Sequence, residues 1–164
     1  MPRVVGDSST LIHLSAIGRL ALLRELFGEL TIPPAVWREV VEQGKGRAGV
    51  DDVEAARRAG WIHVETVSNE LLLRSLRHEL DDGEAQVIAL AVESRADLVL
   101  LDESEARRVA ELFDLQKTGV VGVLLRAKTE GTIPLLKPEL DLLRESFWID
   151  ERLYRRVLQA VGEE

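Results

Sequence analysis

The chain has no cysteine, so disulfides and thiolate metal sites are excluded. It has one methionine, and only 4% of its residues are aromatic. No run of about 18 apolar residues occurs, which argues against a membrane-spanning helix. The three histidines, His13, His63 and His78, lack metal-ligand spacing and read as structural or exposed. Basic charge is also short: 21 Lys and Arg stand against 29 Asp and Glu, a net charge of −8. That balance disfavours a protein that coats nucleic acid generally. It leaves room for a local acidic metal site. Glycine-rich phosphate loops are missing too, because GVVGV at 119–123 fails the G-x-G-x-x-G spacing. Its glycines read as packing positions. MPRVVGDSST leads straight into a strand pattern and suggests no signal peptide, so the expected location is cytoplasmic.

What is present is a substantial apolar fraction, 46% of 164 residues, enough for one domain with a real core. The organising stretch runs from Leu80 to Ala110, LDDGEAQVIALAVESRADLVLLDESEARRVA. A helix starts near Asp82, capped by Asp81 or Asp82, with acids where the helix dipole is positive. From Ala85 to Val92 it is apolar except for Gln86, as in a helix buried on nearly all sides. At 100° per residue, Glu84 shares a stripe with Val87, Ile88 and Ala91 and points inward. A carboxylate there requires a compensating partner. Leu98–Leu101 reads as a central parallel strand ending on Asp102 and Glu103, with Ser104 placed to cap the next helix.

The rest of the chain alternates in the same manner. A strand at Arg3–Gly6 ends on Asp7, and Ser8, Ser9 or Thr10 caps a helix to Ala16. Strands follow at Leu30–Ile32 and Ile62–Val67, with a short strand or loop around Gln116–Thr118. A helix over Ala35–Glu42 starts at Pro33-Pro34. The loop Gln43–Gly49 is basic and rich in turn residues. A charged helix follows at Val50–Ala59, and further helices are expected over Asn69–Glu79, Gly119–Glu130, Glu139–Ser146 and Asp150–Val161. Strands alternating with helices predict an α/β fold, a mostly parallel central sheet with helices on both faces and extra C-terminal helices. The domain expectation is a single unit over 1–164, with 135–164 as a helical extension.

Ligands of such sheets bind beyond the carboxyl ends of the strands. Asp7 and Asp102 end strands there, and Glu84 at a helix N-terminus approaches the same edge. Three converging carboxylates make an oxygen-only site suited to Mg²⁺ or Mn²⁺. Such sites serve phosphoryl chemistry. A receiver domain is excluded because Asp7-Ser8 is not an acidic pair. A haloacid-dehalogenase-type phosphatase is excluded because Ser9 stands where its second acid belongs.

Five pieces, GDSSTLIHLSAIGRLALLREL, TIPPAVWREVVE, LDDGEAQVIALA, LVLLDESEARRVA and KTGVVGVLLRAKTEGTI, resemble in order the PIN-domain nucleases, the fold of VapC-type toxins. More closely, the chain is similar to a short PIN-like subfamily of unassigned function. The resemblance implies a three-layer α/β/α fold and a Mg²⁺- or Mn²⁺-dependent endoribonuclease site. By motif, Asp7 is the first acid, Glu39 the helix acid, Glu84 the acid of the GE motif and Asp102 the strand-end acid. The family often has Asp-Asp at that strand end, where this chain has the longer Glu103 as the second candidate ligand. Ser9 matches the hydroxyl of the opening motif, orienting Asp7 or a water held beside it. Lys45, Arg47, Arg107, Arg108 and Lys117 are the candidates to meet RNA phosphates. The resemblance also implies a homodimer, and a small antitoxin protein as partner if this is a toxin. Apolar residues on the last helices, including Leu142, Phe147, Trp148 and Leu153, would supply the interface. The alternative is a non-catalytic PIN-like protein-binding module with a degenerate metal site.

Overall fold

The computed structural model describes residues 2–44, 46, 47 and 49–164. Five strands, β1 (Val4–Gly6), β2 (Leu30–Ile32), β3 (Ile62–Val64), β4 (Leu98–Leu100) and β5 (Lys117–Thr118), form one sheet in the order β3-β2-β1-β4-β5. Every pairing is parallel, where the sequence suggested only a mostly parallel sheet. The strands are short and β1 is wholly buried, as expected for a sheet covered on both faces.

Helices carry each crossover. They are α1 (Ser8–Ala16), α2 (Ala21–Phe27), α3 (Pro34–Trp37), α4 (Val50–Arg58) and α5 (Glu70–Leu76). After these come α6 (Asp82–Ser94), α7 (Ser104–Leu112), α8 (Val120–Thr129), α9 (Lys137–Leu143) and α10 (Glu151–Ala160). The layers are those of a PIN-like α/β/α fold. Helix α6 packs on β1 and β4 and touches α3, α5 and α7, while α1 and α2 pack on α8. Its residues Ala85–Ala91 are all buried, as the near-continuous apolar run requires. Gln86 is tolerated there because its amide serves both sides: Oε1 accepts from Ala35 N at 3.1 Å, and Nε2 donates to Asp82 at 3.2 Å. Among the described residues, no helix is long and apolar enough to cross a membrane.

Several local expectations are corrected. Helix α1 begins three residues early because Asp7 caps it, not Ser8, Ser9 or Thr10: its side chain accepts from Thr10 N. Ser104 is the first residue of α7, not its cap, and Glu103 at the cap position makes no side-chain cap bond. The helix expected over Ala35–Glu42 turns π-helical from Arg38 to Glu42. Strand β3 stops at Val64, three residues short of the expected end. The C-terminal helices mostly close the core: Leu143, Tyr154, Val157 and Leu158 are buried, while Leu142 and Trp148 stay exposed.

Candidate functional site

The strand order reverses between β1 and β4, so crossovers leave these two neighbours toward opposite sides. A crevice opens beyond their carboxyl ends, the usual ligand position in such sheets. Asp7 follows β1 directly and Asp102 follows β4 by one residue.

Three residues lock this edge. Asp7 Oδ1 accepts from Thr10 N at 2.9 Å, and its Oδ2 accepts from Asp102 N at 3.1 Å. Thr10 Oγ1 donates to Asp102 Oδ2 at 3.0 Å, closing a ring of hydrogen bonds between the two strand ends. Asp102 Oδ1 accepts from Val120 N at 2.9 Å, at the start of α8. Sequence reasoning missed Thr10, which is fully buried. The D-x-x-T spacing carried the signal, because the third residue of a helix presents its N–H to the cap.

Glu39 and Glu84 approach from the other side. The π-helical turn carries Glu39, in keeping with the frequent placement of such turns at functional sites. Ser8 Oγ donates to Glu39 Oε2 at 2.7 Å, so Ser8 orients this acid. Gly83 makes room for it: a Cβ there would stand 2.2 Å from Glu39 Oε1. Gly119 does the same for Asp102, with a Cβ falling 2.4 Å from Oδ1. The glycine of GVVGV nearest the site thus admits a carboxylate, where the sequence reading had given it to helix packing. Glu84 sits in the first turn of α6, its N–H donating to the Asp81 cap at 2.9 Å.

Asp7, Ser9, Glu39, Asp81, Glu84 and Glu103 line a cleft of about 140 Å³ that includes no basic side chain among the described residues. Ser9 reaches this cleft but has no hydrogen-bond partner among the described residues. Asp102 borders a second, larger cavity on its far side. The electrostatics follow from the crowding. Burial, with the neighbouring Asp102 charge, pushes the Asp7 carboxyl from 3.8 up to about 7. Glu84 is raised from 4.5 to about 7 by partial burial and then by Asp81, Glu103 and Asp7. Strongly shifted carboxyls facing one cleft are a pattern typical of functional sites.

All the donors are oxygens, the chemistry that suits Mg²⁺ or Mn²⁺, and a cation would offset the burial and the neighbouring charges that raise Asp7 and Glu84. Among the described residues, no three acidic or histidine side chains stand close enough together to clasp one ion in this arrangement. The donor set fits by chemistry; closure around an ion requires side-chain movement, chiefly of the flexible Glu39, Glu84 and Glu103.

The basic residues divide. Arg108 is paired with Glu105 at 2.5 Å and Glu79 at 3.2 Å, and Lys117 with Glu111 at 2.8 Å. These partners compete with phosphate, and of them only Glu105, one helical turn before Arg108, lies within a local reading. Arg47 borders a small cavity beside Ser15 and Val40. Lys45 lies outside the described residues. Arg107 is exposed, makes no ion pair among the described residues and faces the cavity beside Asp102.

Comparison with curated proteins finds no match. A family described as a PIN domain matches residues 3–163, and PIN domains are generally nucleases that use divalent metal ions. With that match spanning nearly the whole chain, and the all-parallel sheet gathering acids beyond β1 and β4, the protein belongs to the PIN-domain family.

Proposed function

We propose that the protein is a metal-dependent endoribonuclease that hydrolyses phosphodiester bonds in single-stranded or looped RNA. The observation that carries this reading is the pair Asp7 and Glu84, both raised to about 7 in a cleft without a basic side chain among the described residues. Folding has placed buried acids side by side where, among the described residues, no basic side chain lines the cleft to neutralise them.

Asp7, Glu84 and Asp102 would hold Mg²⁺ or Mn²⁺, with Glu39 and Glu103 at its margin. When bound, the ion neutralises these acids, orients the phosphodiester and stabilises charge on its oxygens. The chain's own residues fix positions. The Thr10 and Asp102 N–H groups hold the Asp7 carboxylate by one bond to each oxygen at the wall of the cleft. Ser8 aims Glu39. The Ser9 hydroxyl is uncommitted and available to donate to a phosphate oxygen or a water. Among the described residues, the Ser8 and Thr10 hydroxyls bond to Glu39 and Asp102 and no histidine or lysine bonds to a site hydroxyl, so no covalent intermediate is proposed.

A toxin role, with a small antitoxin protein as the natural inhibitor, and a homodimeric state belong to the same reading. A non-catalytic binding module is favoured by one observation, the absence of a ready-made three-ligand cluster among the described residues. Incubation of the chain with a broad panel of structured RNAs at low salt separates the two. With Mn²⁺, wild type should cut and Asp102→Asn should not, and excess EDTA should abolish cutting. An intact panel together with no saturable Mn²⁺ stabilisation establishes the binding module. Cleavage surviving both EDTA and Asp102→Asn refutes the acidic-site mechanism.

A further inference from the structure

A cavity of about 480 Å³ lies on the far side of Asp102 from the acidic cleft. Its size falls within the ~300–1,000 Å³ range of small-molecule sites. Phe147 and Trp148 supply an aromatic edge. The Phe147 ring is held by the edge of His13, with centroids 4.8 Å apart. Trp148, by contrast, is 82% exposed, so its indole lies open beside the cavity mouth. Thr118 adds a hydroxyl, and Gly122 leaves the space for it, since a Cβ there would fall 1.9 Å from Thr118 Oγ1. Two carboxylates line it: Asp102 already accepts from Thr10 and Val120, while Asp150 at the cap position of α10 makes no side-chain cap bond. Among the described residues, Arg107 is the single cation on the lining.

This combination selects its ligand. An apolar lining of Val121, Leu125, Leu153 and Val157 with an aromatic edge suits a flat ring, and stacking on an indole tolerates any base. Carboxylates repel a phosphate but accept from the N–H edges of bases. The phosphate attached to such a base finds Arg107. A second copy of the chain suits the cavity less well, because it would bury the Arg107 and Asp150 charges.

We propose that this cavity is a subsite for one unstacked nucleobase of single-stranded RNA, stacked on Trp148 and adjoining Phe147, with Arg107 on its phosphate. The assignment rests on the ribonuclease reading, since Asp102 is shared between cavity and site edge. It makes the substrate's register a property of the C-terminal segment.

The test uses a labelled ten-nucleotide single-stranded RNA of mixed sequence and the full chain, first in EDTA so that binding is read without cleavage. Trp148→Ala should weaken binding roughly 5- to 150-fold, the loss of one stacked base. The same ratio should appear in KM for Mn²⁺-dependent cleavage. RNA should quench tryptophan emission in wild type and not in Trp148→Ala. Arg107→Gln should weaken binding and reduce its salt dependence by about one counterion. Because Trp148 is exposed, its truncation leaves the core untouched. Trp148→Ala matching wild type in both Kd and KM overturns the subsite; if Asp102→Asn still abolishes cleavage, the ribonuclease reading stands. Failure of wild type both to bind and to cut overturns the two together. A Trp148→Ala protein of half the wild-type mass with unchanged RNA affinity also overturns the subsite, identifying the cavity mouth as a contact between copies.

Discussion

Asp7 ties the site to the stability of the whole chain, and the connection is measurable through pH. Its carboxyl is raised from 3.8 to about 7 by burial and then by the Asp102 charge. Between those two values the folded protein keeps the proton while the unfolded chain releases it. Stability therefore falls as pH rises through this window, and the contribution of the protonated carboxyl is gone by about pH 8. Each pH unit is worth ~1.4 kcal/mol, so going from pH 5 to pH 8 should cost about 2–3 kcal/mol from Asp7 alone. For a chain of this length that is roughly 5–10 °C in Tm. Glu84 adds to the same fall, by less than its shift suggests because it is partly exposed. His13 works the other way: burial lowers its pKa, so its contribution to stability grows with pH.

Subtracting Asp7→Asn removes the His13 contribution and most of that from Glu84, since Asp7 is the smallest of the charges raising Glu84. The amide keeps the cap on Thr10 N through its oxygen and gives up the bond from Asp102 N, a pH-independent loss of about 1 kcal/mol. Thermal unfolding in EDTA at several pH values should show Asp7→Asn gaining on wild type by about 2–3 kcal/mol between pH 5 and pH 8. At pH 8 it should be at least as stable as wild type. At that pH, Mn²⁺ at a hundred times its Kd should add about 3 kcal/mol to wild type and little to the variant. Parallel Tm–pH profiles would refute the buried, repelled carboxyl. Equal Mn²⁺ gains would place the ion elsewhere.

Other outcomes follow from single contacts. Thr10→Val keeps the shape and loses the hydroxyl bond to Asp102, so thermal unfolding should show a loss of about 1.5–3 kcal/mol at pH 8; an unchanged Tm would mean that the ring of bonds contributes nothing. Gly83→Ala should leave the Tm within a few degrees of wild type, because alanine favours the helix and the obstructing atom is the end of a flexible Glu39. The displaced Glu39 should lower Mn²⁺-dependent cleavage, and full activity would remove Glu39 from the site. Light scattering at micromolar concentration should give a dimer mass, with exposed Leu142 near the contact; a monomer mass would overturn the dimer.

The parallel sheet and its acids were legible because they rest on local chemistry. An apolar run at Leu98–Leu100 admits little but a buried strand, and acids at both strand ends fall beyond one sheet edge in any parallel arrangement. Glu84 was legible through helical phase. What escaped depends on which chains of bonds the fold closes. DSST offers four groups able to cap a helix, and only the tertiary position of Asp102 shows why Asp7 takes that role: the same carboxylate must also meet the Asp102 N–H across the sheet. Ser8, Ser9 and Thr10 then fall into three different environments: one beneath Glu39, one open to the cleft and one against Asp102. A motif naming a single hydroxyl cannot distinguish these. The π-helical turn was equally hidden, since REVVE carries no kink-forming proline or glycine.

The glycines show where sequence and site meet. Gly83 and Gly119 both lie beside helix N-termini, where a capping or packing reason is always at hand. Each instead faces a carboxylate oxygen that a Cβ would displace. Glycine inside a helix costs about 1 kcal/mol relative to alanine, and Gly83, the second residue of α6, carries that cost at the crevice, while Gly119 stands at the cap of α8. The chain thus gives up helix stability at Gly83 and ion-pairing at Asp7 in the same few ångströms. Neither concession helps the fold stand on its own, and both draw acidic oxygens toward the same sheet edge. A cation and its phosphodiester supply what the folded chain lacks there, which is why removal of one acid should stabilise the protein and disable it together.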